Sequence, residues 1–283
     1  MTAGLGDAPI TVVAVHAHPD DETLATGLAL AHHSLLGSEV HVITATLGEE
    51  GEVITPALAH LEGSEGLGPH RHGELSAAMR TLDVQQEYLG APGAALGEPR
   101  WRDSGMAGSP AARHPRAFAG ADVAEAAQVL ALRLREIRPD VLITYDPEGG
   151  YRHPDHIQTH RVSVAALRLL DPPERPRMYV AATPLSWAVE DRAWLRDHVP
   201  AESGLLIPSQ DEPHPPSVAA DDTVTVRLVN PQAQVLRVAA LRHHPTQVTL
   251  FCQGGAEGYF ALSNNIAARL IGREGYREWD VDD

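Results

Sequence analysis

The sequence contains no lysine, so all 22 of its basic residues are arginines. Schiff-base catalysis, a pyridoxal-phosphate lysine and the lysine of a P-loop are therefore excluded. A single cysteine, Cys252, likewise excludes an internal disulfide framework and a zinc site built from several thiolates. Any catalysis must use histidine, carboxylates, hydroxyls, arginine or a bound metal.

The chain also has fewer positive than negative residues, and it has no long apolar run. Its net charge is −16, and no basic stripe is interleaved with aromatic residues, so we expect no nucleic-acid partner. No apolar run approaches the roughly 18 residues that suggest a membrane span. Met1 to Pro9 lack the features of a secretory signal, so we expect a cytoplasmic protein without a membrane partner. Nothing in the sequence excludes a homo-oligomer.

The beginning of the chain predicts the fold class. Ile10 to Val15 predict a buried strand, Thr23 to Leu36 a helix that ends at Gly37, and Val40 to Thr46 the next strand. So short a β-α-β unit implies parallel strands. We therefore expect an α/β fold with a Rossmann-like, mostly parallel sheet flanked by helices.

The rest of the chain extends this pattern. Residues 1–172 are expected to form a Rossmann-like catalytic domain carrying a metal site, and residues 173–283 a smaller C-terminal α+β portion that packs on it and helps to form the pocket. Two long loops are expected, over residues 90–120 and 200–222. The further predicted elements are helices over Pro69 to Leu82, Asp122 to Arg138, Ile157 to Leu170 and Pro231 to Arg242, and strands over Glu87 to Leu89, Val141 to Thr144, Met178 to Ala182 and Thr223 to Val229.

Two motifs of histidines and carboxylates each follow a predicted strand. The first is His-Ala-His-Pro-Asp-Asp-Glu over residues 16–22, and the second is Tyr-Arg-His-Pro-Asp-His over residues 151–156. Because the carboxyl ends of parallel strands meet at one edge of a sheet, the two motifs should form one site.

Two histidines and one aspartate are a typical ligand set for a catalytic zinc ion that keeps one position for water. We expect His18, His156 and an aspartate of the Asp20–Asp21 pair to bind one ion per chain. The other aspartate is suited to be the general base, but the two lie in one turn and spacing alone does not order them. The same ligands accept ferrous iron as well as zinc.

Hydrolysis of an amide also needs a stabilised oxyanion and a proton for the leaving amine. His153 can serve as a protonated partner or acid, with Asp155 setting its basicity, and Tyr151 lies close in sequence. The acidic loop containing Glu50 follows the second strand and should face the substrate. The role of His244 stays open.

Two other enzyme classes lack their motifs. The turn after the first strand is acidic and has no Gly-x-Gly-x-x-Gly, which argues against dinucleotide binding. No Gly-x-Ser-x-Gly elbow is present, which argues against a serine hydrolase.

The two motifs resemble the signature of the LmbE-like or PIG-L metal-dependent N-acetylglucosaminyl deacetylases. Residues 17–22 (Ala-His-Pro-Asp-Asp-Glu) and 153–156 (His-Pro-Asp-His) match it residue for residue. Within the family, residues 46–53, 101–106 and 145–151 look most like the actinobacterial deacetylases of mycothiol biosynthesis.

The resemblance implies hydrolysis of the N-acetyl group of N-acetylglucosaminyl-inositol, a small amino-sugar inositol. It also implies an order for the aspartates, with Asp21 as a metal ligand and Asp20 as the base. By the same resemblance, Tyr151 would help to polarise the carbonyl, and Arg71 and Asp103 would hold sugar or inositol hydroxyls.

Four alternatives remain, and three of them have a discriminating feature. A mycothiol S-conjugate amidase uses the same chemistry, but its loop resembles Gly-Gly-Glu-Arg-Gly-Glu, whereas residues 48–52 are Gly-Glu-Glu-Gly-Glu; another LmbE-like N-acetyl sugar deacetylase is also compatible. A non-haem iron oxygenase shares the ligand set but has no obvious use for Asp20. A metal-stabilised sugar-binding protein without turnover would release no acetate.

Overall fold

The computed structural model describes residues 5–91, 99–252 and 257–282. Residues 92–98 of the long loop expected over 90–120 lie outside this part of the chain. The strands are β1 Thr11–His16, β2 Glu39–Thr44, β3 Gln85–Tyr88, β4 Val141–Thr144, β5 Arg177–Ala181, β6 Thr183–Pro184, β7 Val218–Ala219, β8 Val226–Val229, β9 Thr249–Phe251, β10 Gly258–Ala261, β11 Ala267–Leu270 and β12 Arg273–Trp279. The helices are α1 Asp21–Ala25, α2 Gly27–Leu35, α3 Leu67–Leu82, α4 Val123–Ile137, α5 Gly149–Arg152, α6 Pro154–Arg168, α7 Leu185–His198 and α8 Pro231–Leu241.

A seven-stranded sheet organises the molecule, in the order β3-β2-β1-β4-β5-β12-β8. The first five strands are parallel, whereas β12 is antiparallel to both of its neighbours. The expected Rossmann-like, mostly parallel sheet is therefore confirmed. Strands from both sides of residue 172 join this one sheet, and the division into residues 1–172 and 173–283 stays a proposal.

Alternation along β1 explains why helices cover both faces of the sheet. Val12 and Ala14 point to a core shared with α2, α3 and α8, while Val13 and Val15 point to a second core with α4 and α6. Successive strand residues face opposite sides, so an uninterrupted apolar strand requires a hydrophobic layer on each side.

One predicted helix is broken in the structure. The segment expected to be continuous from Thr23 to Leu36 forms two helices, because Thr26 has a φ of −135° and its hydroxyl donates to the carbonyl of Glu22. Side-chain bonding of this kind competes with the helical ladder. As predicted, α2 ends just before Gly37, whose φ is +77°.

Other predicted features agree closely with the structure. Asp122 caps α4 by accepting from two backbone N–H groups, and Pro154 occupies the first turn of α6. The segment 200–222 runs over the surface with no fully buried residue. The small sheets β6–β7 and β9-β10-β11 were not predicted. Among the described residues, no helix has both the length and the apolar character needed to cross a membrane.

Candidate metal centre and catalytic site

The two His-Pro-Asp motifs meet at the carboxyl edge of the central strands. β1 ends at His16 and pairs with β4, which ends at Thr144, so the loops that follow both strands leave the sheet side by side. The first loop enters α1, and the second passes through α5 into α6. The parallel arrangement thus brings together residues more than 130 positions apart.

Asp21 stands between the two expected histidine ligands. Its Oδ2 lies 3.3 Å from Nδ1 of His18 and 3.3 Å from Nε2 of His156. Ligand atoms held at about 2.0–2.1 Å by a tetrahedral ion are roughly 3.3–3.4 Å apart. Burial alone would raise the pKa of Asp21, but the two imidazoles hold it well below its usual value. Asp21 is therefore ionised, as a metal ligand must be.

His156 directs the lone pair of its Nε2 towards Oδ2 of Asp21. Its Nδ1 lies 3.2 Å from the carbonyl oxygen of Gly149, which can only accept, so Nδ1 carries the hydrogen. Its buried Nε2 has no hydrogen-bond partner within the described residues. Only glycine fits at 149, because φ is +65° and a Cβ would lie 2.8 Å from the backbone nitrogen of Ile157. An orphaned ring nitrogen of this kind is suited to metal binding.

His18 is oriented by a carboxylate on its far side. Its Nε2 lies 3.3 Å from Oδ2 of Asp155, and because an ionised carboxylate only accepts, Nε2 carries a hydrogen. In the neutral ring Nδ1 then has the lone pair that faces Asp21. Burial lowers the pKa of His18, but Asp103, Asp155 and Asp21 outweigh it and raise the pKa well above its usual value. A bound cation would take the place of that proton.

The contact of Asp155 differs from the one expected. Its charge raises the pKa of His153 against the larger effect of burial, in the direction that the sequence predicted, but its carboxylate oxygens accept from His18 and from the N–H and hydroxyl of Ser104. Helix geometry is the reason. Asp155 lies in the first turn of α6, where its backbone N–H, and not its side chain, meets Nδ1 of His153.

The residues present fit one metal ion. Within the described ranges, two sets of three side chains place donor atoms close enough together to share an ion, and His18 belongs to both: His18 with His153 and His156, and His18 with Asp103 and Asp155. Imidazole nitrogens with a carboxylate oxygen suit zinc and ferrous iron alike.

Asp20 lies beside these ligands and is directed differently from Asp21. Its Oδ1 is 3.0 Å from Nη2 of Arg71, and its backbone has the unusual φ of +110°. Burial raises the pKa of Asp20 to about 7, although the Arg71 guanidinium lowers it. A carboxylate with a pKa near neutrality can take and return protons efficiently.

His153 lies against both histidine ligands, with ring centroids 4.7 Å from His18 and 4.9 Å from His156. Burial, and then these two imidazoles, lower the pKa of His153 to about 3. Its Nδ1 accepts the Asp155 N–H, so the neutral ring carries its hydrogen on Nε2. This favours a neutral hydrogen-bond donor over the protonated partner expected from the sequence.

Tyr151 lies at the mouth of the site. The residue is about half exposed, at 52%, and its ring centroid lies 5.0 Å from that of His156 and 6.0 Å from that of His153. Its neighbours Gly150 and Arg152 both have positive φ values, of 76° and 72°. Such a turn directs the phenol outwards over the ligands.

Two of the three expected substrate contacts are occupied by the protein itself. Arg71 is buried and donates to the carbonyls of Gly48 and Pro19 and to Asp20. Asp103 is buried as well, and accepts from the backbone N–H groups of Glu50 and Gly105.

Glu50 itself lies at the rim. Its partly exposed carboxylate pairs with Arg102 at 3.1 Å. Of the three residues, Glu50 is the one whose side chain faces solvent.

Several residues of the site were given no role by the sequence. Glu22 is fully buried and pairs with His244, Nε2 to Oε1, at 3.1 Å. The Tyr145 ring stacks on His156 at 4.1 Å, and its hydroxyl accepts from the Ala17 N–H. Glu22 is the last residue of the first motif and Tyr145 lies six residues before the second, a proximity that could have indicated them. No local pattern marks His244 or Ser104, because both arrive through long-range packing.

Comparison with known proteins agrees with this geometry. The family model described as GlcNAc-PI de-N-acetylase, PIG-L, matches residues 13–167. A protein from Streptomyces avermitilis named 1D-myo-inositol 2-acetamido-2-deoxy-alpha-D-glucopyranoside deacetylase is 43% identical over 276 residues, covering 93% of this chain and 89% of its own. A protein of the same name from Mycolicibacterium gilvum is 44% identical over 269 residues, with 93% and 88% coverage.

Solved structures share the fold at lower identity. A deacetylase triple mutant of the teicoplanin biosynthetic pathway superimposes with a TM-score of 0.53 at 17% identity, covering 95% of this chain and 99% of its own. The deacetylase of A40926 pseudoaglycone gives a TM-score of 0.51 at 19% identity, with 84% and 82% coverage.

Proposed function

Because the chain belongs to the PIG-L family, we propose that it is a metal-dependent hydrolase that removes the N-acetyl group from N-acetylglucosaminyl-inositol. The products are glucosaminyl-inositol and acetate, a step of mycothiol biosynthesis. Relatives from two actinobacteria carry the name of this deacetylase and are 43–44% identical over most of the chain. The observation that carries the proposal is Asp20, a buried carboxylate adjacent to a two-histidine, one-aspartate donor set.

His18, Asp21 and His156 would hold one ion, with zinc as the proposed metal and ferrous iron as the alternative. When bound, such an ion supplies Lewis-acid polarisation of an amide carbonyl and lowers the pKa of water. The ring tautomers support this assignment. In each histidine one ring N–H donates to a protein acceptor, which leaves the lone pair of the other nitrogen for the ion.

The chain's own residues carry the protons. Asp20 removes a proton from the attacking water and later returns it to the leaving amine, a task that suits a carboxyl group with a pKa near 7. His153 donates its Nε2–H to the oxyanion that develops on the acetamide carbonyl. Tyr151, above the ligands, contributes its hydroxyl as a second donor at the same carbonyl.

The rim selects the substrate. Glu50 offers a carboxylate that can accept from sugar or inositol hydroxyls, with Arg102 holding it in place. Arg71 and Asp103 act mainly by shaping the pocket, because their polar atoms are already bonded to Asp20 and to backbone groups.

The test is a panel of N-acetylated glucosamine derivatives, with and without the inositol, scored for free amine and acetate. The protein is purified anaerobically, its metal is analysed, and Asp20→Asn is the inactive control. We expect release of amine that depends on the inositol. Release from a mycothiol S-conjugate alone would reassign the chain to the amidases, and no release from any amide by metal-loaded protein would leave a binding protein.

A further inference from the structure

The backbone of Asp20 is held in a conformation that a non-glycine residue rarely adopts. Its φ is +110° and its ψ is −34°, outside the regions that a side chain with a Cβ allows at low energy. Strained residues of this kind persist only where surrounding contacts fix them. The peptide group between Pro19 and Asp20 therefore needs partners that determine its orientation.

That peptide group is bonded at both of its ends. Its carbonyl, on Pro19, accepts from Nη2 of Arg71, and its N–H, on Asp20, donates to Oε2 of Glu22 at 2.9 Å. Arg71 also contacts the Asp20 carboxylate directly, so it acts on the base as well as on the peptide. Glu22, by contrast, is bonded to Asp20 only through the backbone N–H.

Glu22 is itself held from a distant part of the chain. Its Oε1 accepts from the hydroxyl of Thr23 and from Nε2 of His244, which is 222 residues away and completely buried. A carboxylate with no solvent exposure is stable only when donors satisfy it. The turn after α8 thus supplies the donor that keeps Glu22 in place under Asp20.

We propose that Glu22 is a positioning residue for the general base. By accepting the Asp20 N–H, with His244 as its own anchor, Glu22 fixes the strained peptide and aims the Asp20 carboxylate at the reacting water. This inference rests on the proposed function, in which Asp20 is the base. A helix-capping role alone would stabilise the five-residue helix α1 without this selective effect on Asp20.

The test is a double-mutant cycle on the metal-loaded protein. Glu22→Gln preserves the size of the side chain but presents an NH₂ group either to the Asp20 N–H or to Thr23 and His244. We expect kcat to fall about 10- to 100-fold with KM within about twofold, because a small misplacement of a reacting group costs this much. In an Asp20→Asn background the same change should leave the residual kcat within about twofold. Once the base is removed, the loss of the residue that positions it has little further effect.

Glu74→Gln is the matched control. Glu74 is another buried carboxylate; it accepts from the N–H and hydroxyl of Thr246, two residues from His244, and has no hydrogen bond or ion pair with Asp20 among the described contacts. We expect it to alter thermal stability with kcat changed less than about threefold. Metal content and Tm are measured for every variant.

Three results would overturn the inference: an unchanged kcat in Glu22→Gln, loss of metal from it, or an equal fall of kcat in both backgrounds. A crystal structure of Glu22→Gln provides a readout that is independent of activity. A rotated 19–20 peptide supports the inference, and an unmoved peptide contradicts it. If wild-type protein cleaves no amide, the proposed function fails while this structural comparison still decides the role of Glu22 towards Asp20.

Discussion

The Asp155 carboxylate lies 3.3 Å from Nε2 of His18, although 137 residues separate the two positions in the chain. Ser104 donates to both oxygens of the same carboxylate, through its N–H and its hydroxyl. This contact places the ring hydrogen of His18 on Nε2 and leaves the lone pair of Nδ1 facing Asp21. Asp155, together with Asp103, whose Oδ1 lies 3.4 Å from the same nitrogen, thus determines which nitrogen of His18 is offered to a cation.

Replacement of Asp155 by Asn should weaken metal binding about 10- to 100-fold, because the amide no longer fixes the ring or raises its basicity. Titration against a chromogenic chelator measures the effect. Asp140→Asn is the control, since Asp140 accepts from the Thr11 N–H at the opposite edge of the sheet. Equal affinities for the two variants would show that Asp155 does not orient the ligand.

Asp20→Asn should lose about 10²- to 10⁴-fold in kcat while metal content stays near normal, because the base is removed and the ligands are not. Asp21→Asn should instead lose the metal ion, because a ligand is removed. Metal analysis and kinetics on the same preparations separate the two. Metal loss from Asp20→Asn with retention in Asp21→Asn would exchange the two roles.

His156→Ala should abolish stoichiometric metal binding, because it removes the Nε2 that lies 3.3 Å from Oδ2 of Asp21. His160→Ala is the matched control on the same helix. His160 is also buried, but it bonds to the carbonyl of Tyr145 and lies outside the donor set. Elemental analysis of the dialysed protein measures the metal content of both variants. An ion retained by His156→Ala would remove the second motif from the metal site.

Arg71→Gln should shift the acidic limb of the kcat/KM profile to higher pH. Burial raises the pKa of Asp20 to about 7, and the positive charge of Arg71 opposes that rise. Without the charge the pKa increases further, and because the base must be deprotonated, activity begins only at higher pH. The exposed Arg80 on the same helix provides the control Arg80→Gln. An unmoved limb would mean that Arg71 does not act on the base.

Glu274→Ala should lower the free energy of unfolding by about 2–4 kcal/mol. Its carboxylate accepts from the N–H groups of Leu28 and Ala29 at the start of α2, and truncation would leave two buried donors unpaired. On the same strand, Glu278→Ala removes an exposed pair with Arg177 and should cost less than about 1 kcal/mol. Urea unfolding compares them, and equal losses would contradict the capping role of Glu274.

The central strands and the place of the site could be predicted from the sequence. Val12 to Val15 form a short apolar run ending in charged residues, and parallel strands bring such endings to one edge. The ligand atoms and ring tautomers could not be predicted, because they depend on partners such as Gly149 and Ser104 that approach through loops.

The C-terminal part of the sheet was harder to predict for a different reason. Strand β12 is polar, with Arg273, Glu274 and Glu278 among its seven residues, and lies between β5 and β8. Its place is set by pairing with strands far away in the sequence. Glu274 is buried where its carboxylate accepts from a backbone N–H group at the start of α2. Hydrophobic periodicity does not indicate a strand of this composition.

Strands β1 and β4 each have a neighbour on both sides; His18 and Asp21 follow β1, and His156 lies at the start of the helix that the loop after β4 leads to. Amide hydrogens in such interior strands exchange with solvent only when the whole sheet opens, whereas edge strands and chain ends fray locally. An ion at this point is therefore attached to the last part of the molecule to unfold. Local fraying of the edge strands and chain ends should therefore leave the donor set assembled.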